Sequence, residues 1–97
     1  MQTYAIMRRN GWNTREELDQ AGERSNAARE VEMAGQMRWV RSYFFREEDG
    51  TLGTICIYEA DSPDAIREHA RRANLPADEI LPIAEMVLNG PDSAPSG

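Results

Sequence analysis

Apolar residues in this chain gather in short runs, and between the runs two longer stretches carry small or apolar residues at helical spacing. Tyr4-Ala5-Ile6-Met7 predicts a first strand, ending at Arg8-Arg9-Asn10-Gly11, where Asn-Gly is a turn signal. Thr14-Arg15-Glu16-Glu17 has the form of a capping box: Thr14 accepts from the Glu17 N–H, and the Glu17 carboxylate reaches back to the N–H of Thr14. A helix is predicted from Arg15 to Ala34, with Gly35 as its stop. Leu18, Ala21, Gly22, Ser25 and Ala28 share one stripe of that helix, and all but Leu18 are small, so it can lie close against large side chains of a sheet. Strands follow over Met37 to Arg46 and Leu52 to Ala60, joined by Glu47-Glu48-Asp49-Gly50 with its Asp-Gly hairpin signal. Ser62 is the expected N-cap of a second helix, with Pro63 at its first position, running to Ala73 with Ile66, Ala70 and Ala73 turned inward. Leu75-Pro76-Ala77-Asp78 makes the turn out, and a last strand is expected from Ile83 to Leu88.

The order β-α-β-β-α-β predicts an α+β, ferredoxin-like domain: a four-stranded antiparallel sheet with two helices on one face. Strict alternation sends Trp39, Tyr43 and Phe45 to one side of the second strand, and Val40 and Phe44 to the other. Ile55 and Ile57 alternate with Cys56 and Tyr58 in the same way. Both faces are therefore apolar, and two helices cover only one. The expected solution is a homodimer that packs open face to open face about a two-fold axis. The domain is placed at residues 1–89, and residues 90–97, rich in Pro, Ser and Gly, are expected to be a disordered tail.

Composition narrows the partners. Seventeen acidic residues stand against eleven basic ones, every one of them arginine, for a net charge of −6. That balance argues against nucleic-acid binding, which needs clustered cations. Cys56 is the one cysteine, so no intrachain disulfide and no cysteine-based zinc site can form, and its neighbours mark a buried strand position. No run approaches the length of a membrane span, and Met1-Gln2-Thr3-Tyr4 does not begin a signal peptide, so a cytoplasmic protein without membrane contact is expected.

No catalytic constellation stands out. His69, the single histidine, falls at the border of the inward stripe of the second helix, with no second metal ligand three or four residues away. A half-buried structural histidine and a ligand or proton-transfer role are both open; Glu59 and Asp61, at the end of the third strand, are the acids a metal site would recruit. Ser25, inside the stripe of the first helix, either bonds back to the Ala21 carbonyl or presents its hydroxyl to a pocket. With Trp39, Tyr43, Tyr58 and His69 it outlines a possible ligand pocket between helix and sheet, although the aromatics serve equally as dimer-interface residues.

Arg24-Ser25-Asn26-Ala27, Arg38-Trp39-Val40-Arg41-Ser42-Tyr43, Cys56-Ile57-Tyr58-Glu59-Ala60, Ala65-Ile66-Arg67-Glu68-His69-Ala70 and Leu75-Pro76-Ala77-Asp78, in that order and spacing, resemble a family of small bacterial proteins, a domain of unknown function that includes a nickel-binding protein. The resemblance covers Tyr4 to Leu88. It implies a ferredoxin-like dimer that holds nickel near the dimer surface, for sequestration rather than catalysis. His69 carries over as the one imidazole ligand, with Glu59 beside it. Relatives carry histidine after the Trp-Val pair where this chain has Arg41, a cation that cannot ligate a metal. The second function to weigh is a dimeric α/β-barrel enzyme or small-ligand binder that uses the pocket.

Overall fold

The structure, a computed structural model, describes residues 1–85 and Val87. Its elements are β1 (Gln2–Trp12), α1 (Arg15–Ala27) continued by one wide π-helical turn (Ala28–Glu32), β2 (Met37–Arg46), β3 (Leu52–Ala60), α2 (Pro63–Ala73) and β4 (Glu79–Pro82). All neighbouring strands are antiparallel, in the order β2-β3-β1-β4. The expected ferredoxin-like plan is therefore the observed one. Among the described residues no helix is long and apolar enough to cross a membrane.

Local chemistry explains the element ends. The Glu17 N–H donates to Thr14 Oγ1 at 3.2 Å, as a cap should, but the Glu17 carboxylate accepts from the N–H of Asn13, one residue earlier than the capping-box pattern predicts. Ser62 caps α2 through the Ala65 N–H, and Asn74, at φ 56°, ends it in the left-handed conformation.

Three elements depart from the sequence expectation. The first strand runs on through Arg8 to Trp12, because the Asn10-Gly11 turn is absorbed as an irregularity: Arg8 pairs with Thr54 and Trp12 with Leu52, and Asn10 takes a positive φ of 49° between them. The last strand lies at Glu79–Pro82 instead of Ile83 to Leu88, of which Met86 and Leu88 lie outside the described residues. Its start is fixed by Asp78, whose N–H donates to the Met7 carbonyl and whose carboxylate accepts from the Arg9 N–H. Pro82 is tolerated there because β4 is an edge strand. In β2, Trp39 pairs with Tyr58 and Arg41 with Ile57, leaving Val40 as a bulge. The extra residue reverses the alternation, so Trp39 and Phe44 share the helix-covered side while Tyr43 and Phe45 share the open side. The expected tail, residues 90–97, lies outside the described residues.

The core is split. One cluster gathers around Tyr4, Ile6, Met33, Met37, Tyr58 and Ile66, and a smaller one comprises Trp12, Leu18, Ala21 and Leu52. Between them, on three elements at once, stand polar residues: Arg8 on β1, Thr54 on β3 and Ser25 on α1.

Candidate ligand site between the first helix and the sheet

The gap between the two clusters is a pocket of about 180 Å³, lined from α1 by Leu18, Ala21, Gly22 and Ser25 and from the sheet by Arg8, Trp12, Thr54 and Tyr58. Small residues on the α1 stripe leave the room. Ala21, Gly22 and Ser25 bring backbone close to the sheet without filling the space that larger side chains would take.

His69 projects from α2 toward this region and is fully buried, its ring tilted against Tyr58 with centroids 5.6 Å apart. Its Nε2 lies 3.1 Å from the Ser25 carbonyl oxygen and 3.2 Å from Ser25 Oγ. A carbonyl only accepts, so Nε2 carries the proton and donates. Burial, offset in part by that bond and reinforced by Arg8 and Arg29, pushes the His69 pKa below its ordinary value. The ring is therefore neutral, with Nδ1 a bare lone pair that finds no partner among the described residues. Ser25 Oγ accepts from Arg29 Nη1 at 3.4 Å and bonds Tyr58 Oη, 3.3 Å away, with either hydroxyl able to donate. Serine and histidine are not wired as nucleophile and base here, because the nitrogen facing Ser25 already holds a proton.

The wide turn after α1 places Arg29. A π-helical turn inserts one residue, so Ala28 and Arg29 both point inward in succession. Arg29 donates to Asn26 Oδ1 and to Ser25 and lies over the rings of Trp39 (5.7 Å) and Tyr58 (6.0 Å). Arg8 is 2% exposed, and its Nε and Nη2 have no acceptor among the described residues.

Of the pocket residues expected from sequence, Ser25, Trp39 and Tyr58 line the cavity and His69 stands directly behind Ser25. Tyr43 does not: the Val40 bulge puts it on the open face, paired with Ile55. The two metal candidates are also separated. Glu59 pairs with Arg38 and Thr3 on the open side of the sheet, where Arg38 holds it at 2.7 Å, while His69 is buried on the other side. Arg41 shares the open face with Glu59, and its Nη1 lies 3.4 Å from the Tyr43 hydroxyl. Among the described residues no group of three or more His, Cys, Asp or Glu side chains is gathered as a metal cage would need.

Arg8 and Arg29 are the functional candidates missed from sequence. Arg8 continues the inward alternation Tyr4, Ile6, Arg8, and Arg29 lies one turn beyond Ser25 on the inward stripe, so periodicity held both signals.

A family model described as "Nickel responsive protein SCO4226-like" matches residues 4–83. The chain also superposes on the crystal structure of SCO4226 from Streptomyces coelicolor A3(2) with a TM-score of 0.67 and 21% identity, covering 88% of this chain and 99% of that one. At that identity the likeness speaks for the fold. No curated protein matches the chain. With four-fifths of its length under the family model, the chain belongs to the SCO4226-like family of nickel responsive proteins.

Proposed function

We propose that this protein is a homodimeric, non-enzymatic binding protein whose ligand is a small organic molecule held between α1 and the sheet. The observation that carries it is the pocket itself, about 180 Å³ of space where a domain of this size has little core to spare. Apolar cavities of about 150 Å³ accept a molecule as large as benzene. The pocket's apolar walls, Trp12 and Leu18, and its hydroxyls, Ser25 and Tyr58, give a ligand both burial and orientation. The dimer uses the open face, where Ile55, Ile57, Tyr43, Phe45 and Leu81 project from three strands with no helix above them. Gly22 supplies the test. It lines the pocket and has nothing within 4 Å of where a Cβ would sit, so Gly22→Leu should plug the cavity and keep α1 intact. A thermal-shift panel of small aromatic and aliphatic compounds should contain members that raise the melting temperature of the wild type but not of Gly22→Leu. Equal responses from both proteins would reject the pocket.

The family description supports a second reading, nickel sequestration. The residues present do not fit the ion in the pocket. His69 has committed Nε2 to Ser25, its nearest charged neighbours are the cations Arg8 and Arg29, and Glu59 is on the far face. A nickel site would have to form on the open face, where Arg41 stands in place of histidine and Arg38 holds Glu59. Calorimetric titration with nickel separates the readings. Binding that Arg41→His tightens and His69→Ala leaves alone would place the metal on the open face; binding abolished by His69→Ala would place it in the pocket and overturn the fit argued above.

A further inference from the structure

We propose that the pocket's ligand is an organic anion, a small carboxylate with an apolar body, received by the guanidinium of Arg8. This rests on the pocket being a ligand site, and it adds the ligand's chemical class. The argument begins with charge. The chain is acidic overall, at −6, and its surface arginines are satisfied: Arg9, Arg15, Arg38, Arg67, Arg71 and Arg72 make ion pairs, while Arg24 and Arg46 donate to backbone carbonyls and Arg41 to the Tyr43 hydroxyl. Arg8 is the contrast. It is 2% exposed, makes no ion pair among the described residues, and leaves Nε and Nη2 without an acceptor. Arg29, also buried, has only the exposed Glu30 near it, at 3.9 Å. The pocket lining contains both arginines and no carboxylate. A buried cation without a counter-ion, beside a second whose one carboxylate partner is exposed, is costly in any protein, and an anion in the cavity is the group that would compensate them.

The hydroxyls agree. Ser25 and Tyr58 both line the pocket, 3.3 Å apart, and a single proton serves the bond between them, so the proton of the other hydroxyl is left as a donor, as an anion requires. Nε and Nη2 form the guanidinium edge that grips a carboxylate with two parallel bonds. Both lie against protein, so gripping a carboxylate requires that edge to turn toward the pocket that Arg8 lines. Trp12, Leu18, Phe44 and Leu75 line the rest of the space, which selects a carboxylate with a hydrocarbon body over a hydrated inorganic ion. Burial is the main cause of the depressed His69 pKa, and the nearby charges of Arg8 and Arg29 add to it.

The probes are benzoate and benzyl alcohol, which differ in charge at similar size, titrated calorimetrically into the wild-type protein, Arg8→Met and Gly22→Leu. Benzoate should bind the wild type, bind Arg8→Met at least about tenfold more weakly, and fail to bind Gly22→Leu. Benzyl alcohol should bind the wild type more weakly than benzoate and be indifferent to Arg8→Met. Ligand-free Arg8→Met should melt no lower than the wild type, since it removes an unpaired buried charge. If benzyl alcohol binds as well as benzoate and Gly22→Leu blocks both, the pocket stands and the anion proposal falls. If neither probe binds the wild type, the anion proposal falls, and the compound panel decides the pocket separately. A ligand-free Arg8→Met that melts well below the wild type makes Arg8 a structural residue and overturns its role as receptor; Arg29→Met, read for benzoate affinity, then tests whether the remaining buried cation attracts the anion.

Discussion

On the helix-covered face of the sheet, Arg8, Thr54, Ser25, His69 and Arg29 put polar groups and positive charge where a small domain ordinarily keeps hydrocarbon. On the open face, Ile55, Ile57, Tyr43, Phe45 and Leu81 put hydrocarbon where a lone domain would meet water, with Tyr43 and Leu81 each 47% exposed. Each face is incomplete in its own way. Among the described residues the covered face lacks an acceptor for the Arg8 donors, the place proposed for a small anion, and the open face lacks a cover for its side chains, the place proposed for a second copy. Because the sheet lies between them, the two deficits are chemically separate, and a substitution on one face should leave the function of the other in place.

The largest expected effect is on the open face. Ile57 sits on β3, in the interior of the sheet beside β2 and β1, and points away from the helices. The wild type should sediment as a dimer at micromolar concentration. Ile57→Asp buries an uncompensated carboxylate in each half of the interface and should weaken association by more than about 3 kcal/mol, over a hundredfold in Kd. The monomer so released should keep the far-ultraviolet dichroism of the wild type and its pocket ligand. A wild type that sediments as a monomer would break the comparison at its open side, and a variant that loses ligand along with the dimer would show that the faces are coupled.

Most of this layout was legible in the sequence. Ser62-Pro63, the Asp49-Gly50 turn and the small-residue stripe of α1 each specify a local conformation that nothing in the tertiary structure overrides. The errors fall where one residue is inserted or a strand is held by a distant partner. Alternation along β2 cannot reveal the bulge at Val40, so Trp39 and Tyr43 were placed together when they face opposite ways. The end of β1 looked like a turn, and only pairing with Thr54 and Leu52 keeps Arg8 and Trp12 in the sheet. The candidate site suffered most from this: Arg8 lies on the inward alternation of β1 but in a stretch that reads as a turn, and Arg29, on the inward stripe of α1, is carried by a π-helical turn.

On the covered face the sharpest probe is acid. His69 in the folded protein has a pKa below its ordinary 6.5, chiefly through burial, so below about pH 6.5 the unfolded chain binds more protons than the folded one. Stability should be level above about pH 7.5 and should fall as the pH is lowered through 6.5 toward the folded-state pKa, with a slope of at most about 1.4 kcal/mol per pH unit. Glu68 acts in a separate window: hydrogen bonds from Arg71 and Arg72 hold its pKa at about 2, so its contribution is lost only below about pH 4.5. Melting curves between pH 8 and 5 (conditions chosen for this test) should therefore report His69, and His69→Gln should flatten them. A wild-type profile that is already flat in that range would mean that the ring charges without penalty.

The smallest effect tests the roof of the pocket. Thr14 ends the loop after β1 and caps α1, the helix whose small residues form one wall of the cavity. Its hydroxyl accepts from the Glu17 N–H, while the neighbouring Asn13 N–H is taken by the Glu17 carboxylate rather than by Thr14. The two bonds are thus independent, and Thr14→Ala removes one and leaves the other. The expected loss is about 1 kcal/mol by chemical denaturation, with no change in dimer affinity, because the cap lies on the covered side. The first turn should fray locally, and Leu18, whose N–H donates to the Thr14 carbonyl, should hold the rest of the helix against Trp12. If Thr14→Ala also loosened the dimer, the faces would be communicating through β1, the one strand that joins the capped loop to the middle of the sheet.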